Sequence, residues 1–436
     1  MKPQRTVEQG VVAALNSAGA GVVRGGKTAF VAGALPGESI RFARVRSSRA
    51  YEDGDLVEVL ESSAHRVVPR CAHFGVCGGC SLQHLDAAAQ LVAKQQALAE
   101  TLQRIGGVQP QRWLSPIAGP VWNYRRRARL GARWVPKKGR VLVGFRERLK
   151  PYIADMQRCE ILAAPVDGLI EPLAKLIGSL SRPAELPQIE VAVAQDTVAL
   201  VLRIMKPLGE PDLQKLRDFE VKHAVRLYLQ PGNYATLRPL SEPAPRLHYR
   251  LPAFNLELEF EPVDFVQVNA ELNQALVGSA IELLNLDAAS RVLDLFCGLG
   301  NFTLALARRA GAVVGVEGDP GLVERARANA QRNGLANVAF HVANLVAPGD
   351  ASPSWLHETF THVLLDPPRA GAKEMLPWVA RFAPRRILYI SCHPGTLARD
   401  VGLLVNEHAY ALIAAGVVDM FPHTAHVESM AVLEPT

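Results

Sequence analysis

Apolar and polar positions follow three different rhythms along the chain. From residue 1 to about 62, short apolar runs such as Phe30-Val31 and Ile40-Arg-Phe42 are interrupted by Gly21, Gly25-Gly26, Gly33 and Pro36-Gly37. Short strands joined by tight turns have this punctuation, and a small β-barrel is the fold that fits it. From Asp86 to Gly106 the rhythm is helical. Leu91, Leu98, Leu102 and Ile105 fall close to one face, and Gly106-Gly107 ends the run. Residues 160 to about 262 read mainly as strands after a short helical stretch. There Val198, Leu200, Leu202 and Ile204 alternate with their neighbours, as Leu256, Leu258 and Phe260 do with Glu257, Glu259 and Glu261, so each strand is expected to bury one face.

From Phe265 onward strand and helix alternate. Leu272, Leu276, Ala280 and Leu283 form a helical face ahead of the stretch Arg291-Val-Leu-Asp-Leu-Phe-Cys-Gly-Leu-Gly-Asn-Phe302, a buried strand that enters a helix through a glycine turn. Four further apolar runs follow, at 313–316, 338–342, 363–365 and 387–390, and this alternation predicts a doubly wound parallel sheet. Polar residues stand just after the runs: Asp294, Glu317, Asn344, Asp366 and Cys392. In such a sheet the carboxyl ends of the strands gather at one edge, where ligands bind, so five distant positions are expected to converge. The domains predicted are a barrel at 1–62, a central β-rich domain with a cysteine segment at 63–262, and the α/β domain at 263–436.

Size and charge narrow the picture. A chain of 436 residues that is 49% apolar can bury two or three cores. No apolar run approaches the ~20 residues of a membrane span, and Met1-Lys-Pro-Gln-Arg-Thr6 begins no signal segment, so a cytoplasmic protein with no membrane partner is expected. The net charge of +6 permits a polyanionic partner. Its distribution says more: Arg41, Arg44, Arg46 and Arg49 crowd one barrel run, and residues 125–150 hold eleven basic side chains and one acid, Glu147. Trp134 and Phe145 lie among them, with Trp122 and Tyr124 nearby, so phosphate contacts with aromatic faces for unstacked bases are expected.

The six cysteines are unevenly placed. Cys71, Cys77 and Cys80 lie within ten residues around Gly78-Gly79, Cys159 follows the basic stretch, Cys297 sits in the glycine turn and Cys392 stands alone. In a cytoplasmic chain such a cluster points to metal before disulfides, and four thiolates suit zinc or an iron–sulfur cluster. A structural zinc ribbon usually shows two C-x-x-C pairs and only one is present, which favours the cluster; His73 is expected to be a bystander.

The chemistry expected at the sheet edge follows from residue types. Gly298 and Gly300 permit a tight turn close to a ligand, Thr303 replaces the third glycine of a dinucleotide fingerprint, and Glu317 can accept both hydroxyls of a ribose. Asp366-Pro-Pro-Arg369 resembles the loop with which amino-methyltransferases hold a base, but Arg369 stands where an aromatic residue would stack that base. Tyr389-Ile-Ser-Cys392-His-Pro394 adds a thiol at a strand end. Carbon 5 of a pyrimidine is a poor nucleophile, and a thiolate adding at carbon 6 turns it into an enolate able to attack an electrophilic methyl.

Gly25-Gly-Lys-Thr-Ala-Phe-Val-Ala-Gly-Ala-Leu-Pro-Gly-Glu38 resembles the TRAM domain, an OB-like barrel of RNA-modifying enzymes. With the motifs above, nearly the whole chain resembles the 23S ribosomal RNA (uracil-5)-methyltransferases that use S-adenosyl-L-methionine. The resemblance implies a class I methyltransferase domain and 23S ribosomal RNA as the partner; a monomer is expected, although the sequence does not fix the oligomeric state. It implies that Cys71, Cys77, Cys80 and Cys159 hold a 4Fe-4S cluster of structural role. It also implies that Gln267, in Phe265-Val-Gln-Val-Asn269, lies beside cofactor and base, and that Phe296, Asn301, Glu317, Asn344 and Asp366 surround S-adenosyl-L-methionine. Cys392 is the implied nucleophile and Glu428, in His423-Thr-Ala-His-Val-Glu-Ser429, the implied base. Two positions depart from the family pattern: His393 replaces the usual asparagine after the nucleophile, and Asp319 adds a carboxylate after Glu317-Gly318. Cys297 is expected to be a packed residue, although a second thiol keeps cytosine open as a target. Two rival functions also fit part of the pattern. One is a transfer-RNA uracil-5 methyltransferase, a type that typically lacks barrel and cysteine cluster; the second is a noncatalytic RNA-binding assembly factor. Thr303 and the Asp-Pro-Pro loop speak against a nicotinamide oxidoreductase.

Overall fold

The computed structural model describes residues 7–346 and 353–436. Residues 1–6, read above for a signal segment, and the Arg46 side chain lie outside the described residues. Strands β1 (Val7–Leu15), β2 (Ala20–Val23), β3 (Ala29–Ala32), β4 (Ser39–Ser47) and β5 (Glu52–Glu61) close a barrel in the order β1-β2-β3-β5-β4 around Val12, Val31, Ile40 and Phe42. Closure leaves no free strand edge. The barrel's basic run is partly neutralised, because Arg44 pairs with Glu8 and Glu52, and Arg41 with Glu58. Fully buried Glu38 ties the barrel to the following segment: it accepts from Arg66 Nε (2.5 Å) and from the Leu35 and Ser63 N–H groups.

Helix α1 (Ala87–Thr101) starts at Asp86, whose side chain accepts from the Ala89 N–H, and passes into a π-helical turn at 102–106. Its inner face departs from the predicted one. Gln90, Lys94 and Leu98 are buried, whereas Ile105 is 58% exposed. A short strand, β6 (Arg112–Trp113), follows.

The central sheet contains β7 (Arg127–Val135), β8 (Arg140–Gly144), β9 (Gln188–Val193), β10 (Val198–Arg203), β11 (Arg226–Gln230) and β12 (Arg238–Pro239), with α2 (Ile170–Gly178) against β8 and α3 (Glu210–His223) against β11. The strand order is β12-β11-β10-β9-β7-β8. The single buried face expected for residues 198–204 is corrected, since Val198, Ala199, Leu200, Val201 and Leu202 are all buried in the middle of the sheet. Alternation does hold in the ribbon formed by β13 (His248–Leu251) and β14 (Leu256–Glu259).

The basic stretch is less free than its sequence suggests. Lys138 and Arg140 share Asp155, Arg129 pairs with Glu190, and Arg127 donates to Pro262 O. Its aromatic neighbours are engaged within the protein: Tyr124 is buried, Phe145 lines the cysteine cavity, and Trp122 contacts both Arg70 and the His423 ring. These three rings do not offer the open faces for bases that spacing suggested. The balancing acids Asp155 and Glu190 lie beyond the stretch itself, outside the reach of a local count.

The last layer comprises α4 (Ala270–Leu284), β15 (Arg291–Leu295), α5 (Thr303–Ala307), β16 (Ala312–Glu317), α6 (Pro320–Arg332), β17 (Val338–Val342), β18 (His362–Leu365), α7 (Leu376–Phe382), β19 (Arg386–Ser391), α8 (Pro394–Glu407), β20 (Tyr410–Val418) and β21 (Glu428–Pro435). An eight-stranded sheet runs β17-β16-β15-β18-β19-β21-β20-β6. Strands β15 to β19 pair in parallel as expected, but β21 lies antiparallel between β19 and β20. The pairing of β6 with β20 and the burial of Leu98, Leu102 and Val108 in this layer's core bring the α1 region into the C-terminal unit. No described helix is long and apolar enough to cross a membrane.

Candidate active site

The parallel strands deliver their polar residues to one edge, as the sequence predicts. Asp294 near the end of β15 is fully buried, its Oδ2 accepting from Thr303 Oγ1 at 2.6 Å. Burial, then the nearby Asp366 and Glu317 carboxylates, push its pKa up to about 7, opposed by the Thr303 hydrogen bond. The chain then turns through Phe296 at φ 66°, Gly298 at 56° and Gly300 at 96°. Glycine adopts such angles without strain, and a Cβ on Gly298 would meet no atom within 4 Å, so the turn borders open space. Glu317, at the end of β16, bridges to this turn, accepting from the Gly298 N–H (3.1 Å) and from the Gly318 and Asp319 N–H groups.

Asp366 follows β18, and desolvation raises its pKa to about 7. Its loop is fixed from behind: the Ala372 N–H donates to Asp400 Oδ2 (2.8 Å), which also accepts from the Tyr389 hydroxyl (2.6 Å). At Gly371, φ 86°, a Cβ would come within 2.5 Å of the same Asp400 oxygen, so this anchor excludes larger residues. Cys392 follows β19 and is half-buried. The ladder pairs Ser391 with Ser429, which sets Cys392 and Glu428 beside each other across two antiparallel strands.

Burial raises the Cys392 pKa, and Glu428 and Asp366 raise it further; the nearby Arg369 guanidinium opposes them. Arg369 also donates to His426 Nδ1 at 2.9 Å. In the sequence Arg369 speaks only against amino methylation, and nothing there gives it a place at the thiol. Glu428 is 4% exposed and therefore no ordinary surface carboxylate of a strand; desolvation, then Asp366, pushes its pKa up to about 8.

The remaining expected residues occupy different surroundings. The Asn301 amide is tied to Asn273 and the Tyr249 hydroxyl, each at 2.9 Å. Asn344 is exposed after β17 and accepts from the Val346 N–H, while Gln267 is half-buried on the loop before α4. His393 is exposed and caps α8, its Nδ1 accepting from the Thr396 N–H (3.2 Å), so its ring serves the helix end. Asp319 likewise caps α6 through the Gly321 and Leu322 N–H groups. Cys297 is buried, and its pKa lies well above the usual thiol value through desolvation.

A second site is built from the segment that follows the barrel and from Cys159. Cys71, Cys77, Cys80 and Cys159 line one cavity with Phe74, Phe145 and Met156. Burial raises the pKa of Cys77 to about 11 and of Cys80 to about 12. His73 Nε2 accepts from the Gln157 N–H and is not among the lining residues. Among the described residues, no group of three or more His, Cys, Asp or Glu side chains is arranged to hold a metal ion.

Comparison with known proteins adds to this geometry. Residues 286–349 match a family model described as a methyltransferase domain, and residues 356–436 one described as tRNA (uracil-5-)-methyltransferase. The chain is 52% identical over 409 residues to the 23S rRNA (uracil(1939)-C(5))-methyltransferase RlmD of Alkalilimnicola ehrlichii, covering 94% of this chain and 92% of that one. It is 49% identical over 434 residues to the protein of the same name from Xanthomonas axonopodis pv. citri, covering 99% and 98%. Among solved structures, the Pyrococcus abyssi tRNA (uracil-54, C5)-methyltransferase in complex with S-adenosyl-L-homocysteine superposes with a TM-score of 0.75 at 25% identity, over 98% of this chain and 100% of that one. A transfer-RNA enzyme therefore shares the full span of the fold, so the span alone does not separate ribosomal from transfer-RNA enzymes.

Proposed function

The chain belongs to the 23S ribosomal RNA (uracil-C5)-methyltransferase family, and from that premise we propose that it methylates carbon 5 of a uridine in 23S ribosomal RNA with Cys392 as nucleophile and Glu428 as base. The observation that carries this reading is the pair itself: a thiol and a buried carboxyl set side by side by the β19–β21 ladder, at the edge where Asp294, Glu317 and Asp366 gather.

S-adenosyl-L-methionine, when bound, supplies an electrophilic methyl on a positively charged sulfur. The surroundings fit it: the turn at Gly298 borders open space, Asp294 keeps one buried oxygen without a hydrogen-bond partner among the described residues, and Glu317 faces the same turn. Gln267, Phe296, Asn301, Glu317, Asn344 and Asp366 are the residues assigned to hold it. The target uridine leaves its stack to reach the strand edge. The Cys392 thiolate forms a bond to carbon 6, and the electron pair of the 5,6 double bond moves onto the ring as an enolate. Carbon 5 takes the methyl, whose bond to sulfur breaks with the electron pair left on the sulfur. Glu428 then takes the proton from carbon 5, the double bond re-forms, and the bond to the Cys392 sulfur breaks, returning the thiolate. The positive charge of Arg369 nearby favours that thiolate.

Cys71, Cys77, Cys80 and Cys159 are assigned to an iron–sulfur cluster. Four thiols around one apolar cavity suit it, and buried thiols stay protonated unless a cation compensates the thiolates. The single C-x-x-C pair disfavours a zinc ribbon. When bound, the cluster would join the segment at residues 71–80 to Cys159. Elemental analysis of the protein purified without oxygen is expected to find iron and sulfide in equal amounts. Zinc alone would refute the assignment.

The substrate is tested by offering purified 23S ribosomal RNA and transfer RNA with labelled S-adenosyl-L-methionine and analysing the nucleosides. Labelled 5-methyluridine from ribosomal RNA is expected. Label in transfer RNA alone, or in cytidine, would overturn the reading.

A further inference from the structure

Residues 419–427, between β20 and β21, lead into Glu428, and their hydrogen bonds reach parts of the chain far away in sequence. Lys94, 2% exposed on the inner face of α1, donates from Nζ to Asp419 Oδ1 at 2.5 Å and to Phe421 O at 3.0 Å; Asp419 is 3% exposed. Gln90, one turn earlier, accepts at Oε1 from the His423 N–H (2.8 Å), while its Nε2 donates to Leu82 O and Leu85 O. The Ser81 and Leu82 N–H groups both donate to His423 O at 2.9 Å. Ser81 Oγ accepts from the Ala425 N–H (3.1 Å), and the Tyr124 hydroxyl donates to Pro422 O (3.1 Å). Trp122 stacks on the His423 ring with centroids 4.0 Å apart. The barrel reaches the same junction, since a Cβ on Gly19 would lie 2.9 Å from Ser81 Oγ and 3.3 Å from the Ala425 methyl carbon.

His423 has φ 65°, a strained angle for a residue with a side chain. Such a conformation persists where its surroundings over-determine it, and here they do so from α1, from the cysteine segment and from Trp122. A buried Lys–Asp pair adds little stability over an apolar replacement but demands one geometry of its two elements. Among the described residues, none of the hydrogen bonds made by the Lys94, Gln90 and Ser81 side chains runs to β19 or α8, the elements on either side of Cys392. The junction fixes the segment that leads into Glu428, and its link toward the thiol among the described residues is the single His426–Arg369 contact.

We propose that Lys94, Gln90 and Ser81 are positioning residues for Glu428, holding 419–427 so that the cysteine segment and the barrel govern proton removal more than thiol addition. This inference rests on the roles given above to Cys392 and Glu428. Ser81 adjoins Cys80, so a disturbed four-thiol site would reach the base through one residue.

The test compares Lys94→Met and Ser81→Ala with the unmodified protein on denaturing gels. With 5-fluorouridine RNA, whose fluorine cannot leave as a proton, both variants should form the covalent complex at the unmodified rate. With ordinary RNA, Lys94→Met should turn over about 10- to 100-fold more slowly and accumulate a methylated protein–RNA adduct. Ser81→Ala should slow in the same way by about fivefold. Hydrogen exchange in 419–427 should quicken in both variants, and also in the unmodified protein after chelator treatment, ahead of the central strands. A fall in the 5-fluorouridine complex parallel to turnover, or unchanged turnover and exchange, would overturn the proposal. Should Lys94→Met fail to fold, Ser81→Ala decides. Absence of any Cys392-dependent complex in the unmodified protein would instead overturn the reading of the site.

Discussion

A Cys392→Ala protein is expected to lose methyl transfer by roughly 10⁴-fold or more while still binding S-adenosyl-L-methionine. The proposed route to a nucleophilic carbon 5 starts with the thiolate, and the described edge offers no equivalent group. Cys297 is buried in the glycine turn, and desolvation together with Asp294 and Glu317 keeps its thiol protonated. Glu428 and Asp366 are carboxyls, which make weak nucleophiles toward a pyrimidine. The complex with 5-fluorouridine RNA should vanish in this variant, and isothermal titration should show S-adenosyl-L-methionine binding unchanged within about threefold. Continued methylation at carbon 5 by Cys392→Ala would end the covalent account.

Replacing Glu428 by Gln should slow the overall reaction about 10²- to 10⁴-fold and leave a different signature. The amide keeps the shape of the carboxyl but cannot take a proton, so thiol addition and methyl transfer proceed and release does not. A methylated covalent adduct should build up on ordinary RNA. The unmodified enzyme should show the matching pH dependence. Its Glu428 carboxyl has a pKa raised from 4.5 to about 8, so below that pH the protonated form, which cannot act as base, predominates. Single-turnover rates should therefore climb with pH and level off above about 8. Cys392, itself pushed upward by burial and by Glu428 and Asp366, bends the profile in the same direction. Separating the two needs the adduct: thiol ionisation governs how fast it forms, and Glu428 how fast it decays. A Glu428→Gln protein that releases product at the normal rate would transfer the role of base elsewhere.

Arg369 and the junction at 419–427 were the parts least accessible from the sequence. Arg369 is a charged residue after two prolines, and nothing local in the sequence places it near a thiol 23 positions later. On α1 the apolar positions select Leu91, Leu98, Leu102 and Ile105, yet the face turned inward carries Gln90 and Lys94. A polar residue is buried when a partner awaits it, and the partner of Lys94 lies 325 residues away. The eleven basic residues from 125 to 150 likewise look unbalanced in sequence because Asp155 and Glu190 lie outside that window.

Short-range repetition is what this chain records in one dimension. Glycine and proline spacing marked the barrel strands, strand–helix alternation marked the α/β layer, and the positions just after apolar runs marked Asp294, Glu317, Asn344, Asp366 and Cys392, because a parallel sheet brings strand ends to one edge. Which of those ends face one another, and in what protonation state, was settled by packing. An antiparallel β21 inserted between β19 and β20 places Glu428 beside Cys392, buries it and raises its pKa, and the contacts of α1 and the cysteine segment fix the loop before it. Pairing partners, desolvation and charge proximity are properties of distance in space, and periodicity along a chain carries no record of them.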